Sequence, residues 1–376
     1  MTDLMEKSLQ TLEFPAVLEL LAAQAVSDET KERVRNIRPS TDRGQVNLLL
    51  QETTAARKMM DIHGAPALSN LRPVAASLQR AHLGGVLNTR ELLQIASVLR
   101  TTRNVASYSG VGEEKTCIHS IFKSLTPNKY LEEKISGAIL SEDEIADNAS
   151  AELADLRRKI RVTSGKAREV LQRIISSSAK YLQEAIITIR SNRFVVPVKA
   201  EYKGSIPGLV HDVSASGSTY FIEPMGAVKA NNELRELLSK EEAEIQRILA
   251  SLSREAASFR EDILQNYDLL LALDLIFARG KLSYQMNGME PKLVEDGGFL
   301  FRHARHPLLD KKKAVPIDLE LGQTFDTLVI TGPNTGGKTV TLKTAGLLTL
   351  MAQCGLHLPV DDGSQVSIFE KVLADI

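Results

Sequence analysis

Apolar positions in the first third of the chain recur at spacings of three and four. Leu12, Phe14, Val17, Leu18, Leu20 and Leu21 form one such series, and the pattern persists with breaks to about residue 130. That period puts apolar side chains on one stripe of a helix. Punctuation agrees. Ser27 or Asp28 stands where a cap would open a helix over 29–37, and Pro39-Ser40-Thr41-Asp42 is a stop followed by a start. Gly84-Gly85 precedes Asn88 or Thr89, either of which would cap a helix beginning near Glu91. The segment reads as a helical bundle without chemistry of its own.

Two longer heptad series follow. Leu153, Leu156, Ile160, Ala167, Val170 and Ile174 define one helix; Ile245, Leu249, Leu252, Ala256, Phe259 and Ile263 define a second. Between them lie four short β-branched or aromatic runs, 186–189, 194–198, 209–213 and 219–222. Ser191-Asn192, Lys203-Gly204 with Pro207-Gly208, and the stretch 214–218 separate the runs as turns. An insertion of that kind reverses the chain, so the pattern predicts two antiparallel coiled-coil arms carrying a β-rich tip over about 186–224. An apolar helix over 263–281, ending near Gly280, and a turn-rich link from Asn287-Gly288 to Gly297-Gly298 come next.

At 376 residues the chain is long enough for two or three domains. Its 46 Lys+Arg against 47 Asp+Glu leave a formal net charge of -1, so any nucleic-acid surface has to be local. Locally the charge is uneven. Between Leu156 and Leu182 stand Arg157, Arg158, Lys159, Arg161, Lys166, Arg168, Arg173 and Lys180 against the single acid Glu169. Arg190, Arg193, Lys199 and Lys203 add to this in the tip. Such a row either neutralises phosphates or forms a solvated helix face paired with the acidic return helix. The absence of tryptophan and the 5% aromatic content point away from base stacking and toward backbone or shape recognition. Cys117 and Cys354 stand alone, which excludes a disulfide framework and a zinc finger and fits a reducing compartment. The N-terminus carries no secretory pattern and no run of about 18 apolar residues occurs, so the expectation is a cytoplasmic protein with no membrane contact.

One motif carries definite chemistry. The apolar run Leu328-Val329-Ile330 reads as a buried strand, and Thr331 leads into Gly332-Pro333-Asn334-Thr335-Gly336-Gly337-Lys338-Thr339, followed by a helical pattern to Gly355. Gly332 to Thr339 fit G-x-x-x-x-G-K-[ST] in the strand–loop–helix setting of a Walker A loop. Backbone N–H groups would wrap the phosphates of ATP, Lys338 would reach the β- and γ-phosphates, and Thr339 would hold Mg²⁺ through its hydroxyl. Hydrolysis also needs a downstream acid on a strand. Val372-Leu373-Ala374-Asp375 is a short strand-like candidate, whereas Asp361-Asp362 reads as a turn. The remaining residues are too few to close a parallel sheet, so the expectation is a piece of a longer protein, with no catalytic residue of its own and no ATPase activity by itself.

The loop Gly-Pro-Asn-Thr-Gly-Gly-Lys-Thr at 332–339 resembles that of the MutS family more than a generic one. Ala304-Arg305-His306-Pro307-Leu308-Leu309 and Val315-Pro316 look like the opening strands of that family's ATPase domain. The stretch from Arg193 to Tyr202, His211 to Gly217, Phe221-Ile222-Glu223-Pro224 and the early Leu12-Glu13-Phe14 are similar to one branch, the bacterial second MutS paralogue (MutS-two, the Smr-domain type). The resemblance covers essentially the whole chain.

It implies a mostly α fold. Residues 1–130 would be helical core and lever, and 131–262 the coiled-coil arms with their clamp tip. Residues 263–295 would form a returning lever helix and linker, and 296–376 the incomplete start of an α/β ABC-type ATPase domain. It further implies a homodimeric, ATP-dependent nucleic-acid clamp. The target would be branched DNA, in suppression of homologous recombination through a C-terminal endonuclease domain, or the ribosomal RNA of collided ribosomes. A non-enzymatic nucleotide-sensing dimerisation module is the alternative. Mismatch reading is disfavoured: the Phe-x-Glu pattern occurs only at Phe221-Ile222-Glu223 and Phe259-Arg260-Glu261, in the tip and in a heptad. His306 stands before a proline in a strand-opening turn, where a structural role outweighs one near the nucleotide.

Overall fold

The computed structural model describes residues 2–69, 71–108, 116–310, 314–332 and 337–375. They form a mostly helical protein with three small sheets, divided into two compact units.

The first unit comprises Met1–Leu78, Gln94–Glu132 and Phe259–Ile376. Leu9, Leu12, Phe14, Val17, Leu18 and Leu21 from the two N-terminal helices share a core with Leu347, Leu348 and Met351 of the helix Lys338–Gln353 and with Phe299 and Phe301. The unit's sheet orders its strands Lys292–Val294, Gln365–Ser367, Phe299–Ala304 and Ile317–Leu321. Gln365–Ser367 runs parallel to the first and antiparallel to the third. The helix Arg260–Met286 is buried along most of its length and packs on Arg43–His63.

Several expectations change here. Gly280 does not end its helix. A Cβ at that position would lie 2.8 Å from Met60 Cε and 3.2 Å from Ala56 Cβ, so the glycine is there for close helix packing. The helix stops at Asn287, which takes the left-handed conformation at φ 50. Ser27 is the N-cap of Asp28–Arg35, but its side chain caps nothing. The buried Asp274 carboxylate instead fixes the residues leading into the helix from 247 residues away, accepting from Val26 N at 3.0 Å and Ser27 N at 2.9 Å. Asp42, by contrast, caps Arg43–His63 as its position suggests, accepting from Gln45 N.

The second unit comprises Gln79–Leu93 and Glu133–Ser258. Its frame is an outgoing helix, Ala151–Ser178, and a return helix, Met225–Ser258, packed together. Partners pair in opposite order: Ser150 with Glu244, Arg157 with Glu241, Thr163 with Glu233. The helices therefore run antiparallel. Ser150 also caps the outgoing helix through Leu153 N at 3.0 Å. Asn88 and Glu91 form a reciprocal capping box at the start of their helix.

Between the two helices a sheet orders its strands Thr188–Arg190, Arg193–Lys199, Thr219–Pro224 and Gly208–Val213, all antiparallel. Ser191 and Asn192, both at positive φ, make the first turn. The buried seam departs from the heptad reading. Leu153, Leu156 and Ala167 are buried as expected, but Leu171 and Ile175 replace Val170 and Ile174, which are half-buried. The sheet supplies the reason, because near it the outgoing helix has to bury a second face. On the return helix Ile248 is buried and Ile245 only partly, and the helix ends at Ser258, so Phe259 interrupts that series.

Candidate nucleotide and nucleic-acid sites

Of the glycine loop, Pro333, Asn334, Thr335 and Gly336 lie outside the described residues. Gly332, Gly337, Lys338 and Thr339 lie within them. Lys338 and Thr339 open the helix Lys338–Gln353, with Gly337 at φ 82 before them and no side-chain cap on the first turn. A Cβ at Gly332 or Gly337 would meet nothing within 4 Å, so these glycines serve backbone conformation and not clearance. Thr339 is exposed. A helix N-terminus with an exposed, uncapped first turn suits a polyphosphate, since its first N–H groups have no partner within the helix. The residues present therefore fit the group the motif implies.

The approach to the loop differs from expectation. Leu328–Ile330 pairs with no strand among the described residues, and Val329 is 77% exposed. The unit's sheet is assembled from other strands, and none of them flanks this run. Residues 372–375 form no strand either; Val372 and Ala374 pack on the core, and Ala374 N donates to Ser8 Oγ. Asp362-Gly363 is a turn.

The other end of the helix Lys338–Gln353 is firmly held. Gln353 donates its amide to Ser40 O and Phe369 O, each at 3.0 Å, and accepts from Phe369 N. Lys343 pairs with Glu13 at 2.9 Å, and that hydrogen bond holds the Glu13 carboxyl below its usual range. His306 is buried, and burial lowers its pKa. With Arg305, Asn287, Leu309 and Asp361 it lines a cavity of about 330 Å³.

In the second unit the cations divide into two groups. Those at the base of the outgoing helix are engaged. Arg157 binds Glu241 and Asp147, Arg161 binds Asp147, and Arg158 and Lys159 share Asp155. Only Arg157 reaches the acidic return helix. In the tip, Arg193 is paired with the buried Glu223, and Arg190 with Asp212. Lys166, Arg168, Arg173, Lys180, Lys199 and Lys203 have no carboxylate partner among the described residues. Arg168 lies over the Phe194 ring at 5.3 Å, and Arg173 reaches only the Glu169 carbonyl. Lys166 and Arg173 are seven residues apart, which returns both to the same face of the outgoing helix over about 10 Å, and Lys180 follows in a 3-10 turn past its end. Part of this division is local, since Asp155 neutralises Arg158 and Lys159 three and four residues on in the same helix, whereas Glu241 neutralises Arg157 only once the helices pair.

A buried cluster that sequence reading missed joins the tip to the return helix. The Glu223 carboxylate accepts from Arg193 (2.7 Å), Asn231 (2.8 Å) and His211 (2.5 Å), and Asn231 also bonds both backbone groups of Phe194. Among the described residues no group of three or more His, Cys, Asp and Glu is placed to hold a metal ion. No described helix is long and apolar enough to cross a membrane.

No family model matches the chain. Proteins named Endonuclease MutS2 do match it, nearly end to end. That of Acetivibrio thermocellus is 47% identical over 377 residues, covering 99% of this chain and 48% of that protein. Those of Clostridioides difficile (45%) and Ruminiclostridium cellulolyticum (44%) align over the same shares. Likeness running through both units and the glycine loop defines a MutS-type chain. More narrowly, the chain belongs to the MutS2 family. It spans about half the length of the curated relatives it matches.

Proposed function

We propose that this chain is the gripping and nucleotide-sensing part of an ATP-dependent nucleic-acid clamp, with branched DNA as its target. The second unit would be the coiled-coil arm and clamp tip, and the segment from about residue 296 the opening of an ABC-type ATPase domain. The complete protein would act as a homodimer and cut nucleic acid, in keeping with the word endonuclease in its relatives' names. The observation that carries the reading is the cation division: Lys166, Arg168, Arg173, Lys180, Lys199 and Lys203 stand toward and within the tip without carboxylate partners among the described residues, whereas the cations at the arm base are neutralised.

The nucleotide part follows from the loop. ATP bound there with Mg²⁺ would supply a charge whose presence or loss biases the helix. Lys338 would hold the β- and γ-phosphates, Thr339 would direct its hydroxyl to Mg²⁺, and Gly337 would turn the backbone toward the phosphates.

The test is binding of the chain to a four-way DNA junction across a salt series. Replacing Lys166, Arg168 and Arg173 with glutamine should weaken binding and flatten the log–log salt slope by about 0.9 per lost phosphate contact. An unchanged slope refutes the clamp surface. Preferential co-sedimentation with collided ribosomes over single ones, with no junction affinity, would replace the DNA target with ribosomal RNA. For the loop, Lys338→Ala should abolish ATP binding, and retained affinity overturns the assignment.

A further inference from the structure

The fold brings together in the tip what the sequence scatters. Lys180 lies over the Tyr181 ring at 4.7 Å, and the Tyr181 and Tyr202 rings are 5.2 Å apart with planes tilted by 52°. Lys203, next in the chain, lies over the Tyr220 ring at 4.6 Å. All three tyrosines pack on the tip core and are half-buried, while both lysines are exposed. The row Leu182–Val198–Tyr220 explains the meeting. The end of the outgoing helix adds Leu182 to the sheet beside Val198, and Val198 pairs with Tyr220.

Two observations separate this cluster from ordinary core packing. Tyr108, Tyr267 and Tyr284 in the first unit each donate their hydroxyl to a protein acceptor. The hydroxyls of Tyr181, Tyr202 and Tyr220 have no partner among the described residues. Lys180 and Lys203 likewise have no carboxylate partner there, unlike Arg190, which lies over Phe221 but is paired with Asp212. Three ring edges carrying unspent hydroxyls, flanked by two flexible ammonium groups, complement an aromatic anion. The tilt between Tyr181 and Tyr202 keeps those rings from covering each other's faces.

We propose that Tyr181, Tyr202 and Tyr220 with Lys180 and Lys203 form a stacking site for unpaired nucleotides. The bases would lie against the rings, and the lysine heads would leave them for the flanking phosphates. Stacking of this kind tolerates any base, because every base has a π face. The site rests on the nucleic-acid reading above and sharpens it: the tip takes the unpaired segment that a junction or a folded RNA exposes, while the arm cations hold phosphates.

The chain itself supplies an optical probe, since its seven tyrosines are accompanied by no tryptophan. Titration with fifteen-nucleotide oligo(dT), oligo(rU) and a fifteen-base-pair duplex, read by tyrosine quenching and by anisotropy of labelled strands, tests the site. Tyr202→Leu with Tyr220→Leu should weaken single-strand binding about tenfold or more, leaving duplex affinity unchanged. Tyr202→Phe with Tyr220→Phe, which keeps the rings, should restore it and controls for folding. Lys180→Gln with Lys203→Gln should lower the single-strand salt slope by about 1.4. A stronger effect with dT or with rU assigns the strand to DNA or RNA. Equal loss on duplex, or no loss from the leucine pair, overturns the proposal while duplex binding that depends on Lys166 and Arg173 stands. Binding to none of the three removes both.

Discussion

The Thr53 hydroxyl donates to the Gly355 carbonyl at 2.7 Å, tying the segment after the helix Lys338–Gln353 to the helix Arg43–His63. Gly355 cannot be another residue at that junction. Its φ is +73, and a Cβ there would stand 2.3 Å from Leu49 Cβ. Thr53→Val keeps the shape and removes the donor, so it should cost about 1–2 kcal/mol by denaturant unfolding. Gly355→Ala should cost more, adding about 1–2 kcal/mol of left-handed strain to overpacking of about 1–3 kcal/mol. A neutral Gly355→Ala would show that the two elements are not held this closely.

Nearby, Arg279 is buried and pairs with Glu52 at 2.8 Å, while its Nε has no partner among the described residues. Burial pulls its pKa down, and Glu52 pulls it back up. Glu52→Gln should therefore destabilise the first unit by about 3–5 kcal/mol, because it strands a buried cation. Glu52→Leu with Arg279→Met should recover most of that loss. A double variant as unstable as the single one would mean that the pair itself, and not the stranded charge, stabilises the unit.

The Glu223 cluster predicts a pH response. Burial pushes its carboxyl upward, but hydrogen bonds from Asn231, His211 and Arg193 outweigh that and leave the pKa below the usual value. A carboxylate depressed in the folded state gives its stabilisation above the unfolded pKa of about 4.3. That stabilisation fades as pH falls through the lower folded value. Thermal melts of the chain should show the second unit weakening below about pH 4.5. Glu223→Gln should cost about 3 kcal/mol at pH 7 and remove this part of the acid dependence. An unaltered acid profile in that variant would assign the dependence to other carboxylates.

What the sequence disclosed was whatever is written locally. Asp42, Asn88 with Glu91, and Ser191-Asn192 sit where their chemistry acts, so caps and turns were legible. The short β runs were too, because alternation and turn residues are local signals. Long-range features were not. Asp274 fixes the entry to a helix from 247 residues away, and Gly280 faces Met60 across a helix contact. At the candidate sites the glycine motif is written in eight consecutive residues, four of which lie outside the described residues. The pairing of Arg157 with Glu241, and the contact between Tyr181 and Tyr202, depend on pairing across the fold. Composition counts rings without placing them, so it could not disclose that contact.

The helix Lys338–Gln353 is built like a beam clamped at one end. Its last two turns are buried and bolted by Gln353 to Ser40 and Phe369, while Val340 and Leu342 near its start remain exposed. A load applied to the N-terminal end of such a beam does little to the loose end's own surroundings. It is felt as torque at the clamp, where Ser40 leads directly into the helix Arg43–His63 and Thr53 holds the next segment. On the proposed nucleotide reading, the response would fall at the far end of the helix, about 24 Å from the glycines that precede it.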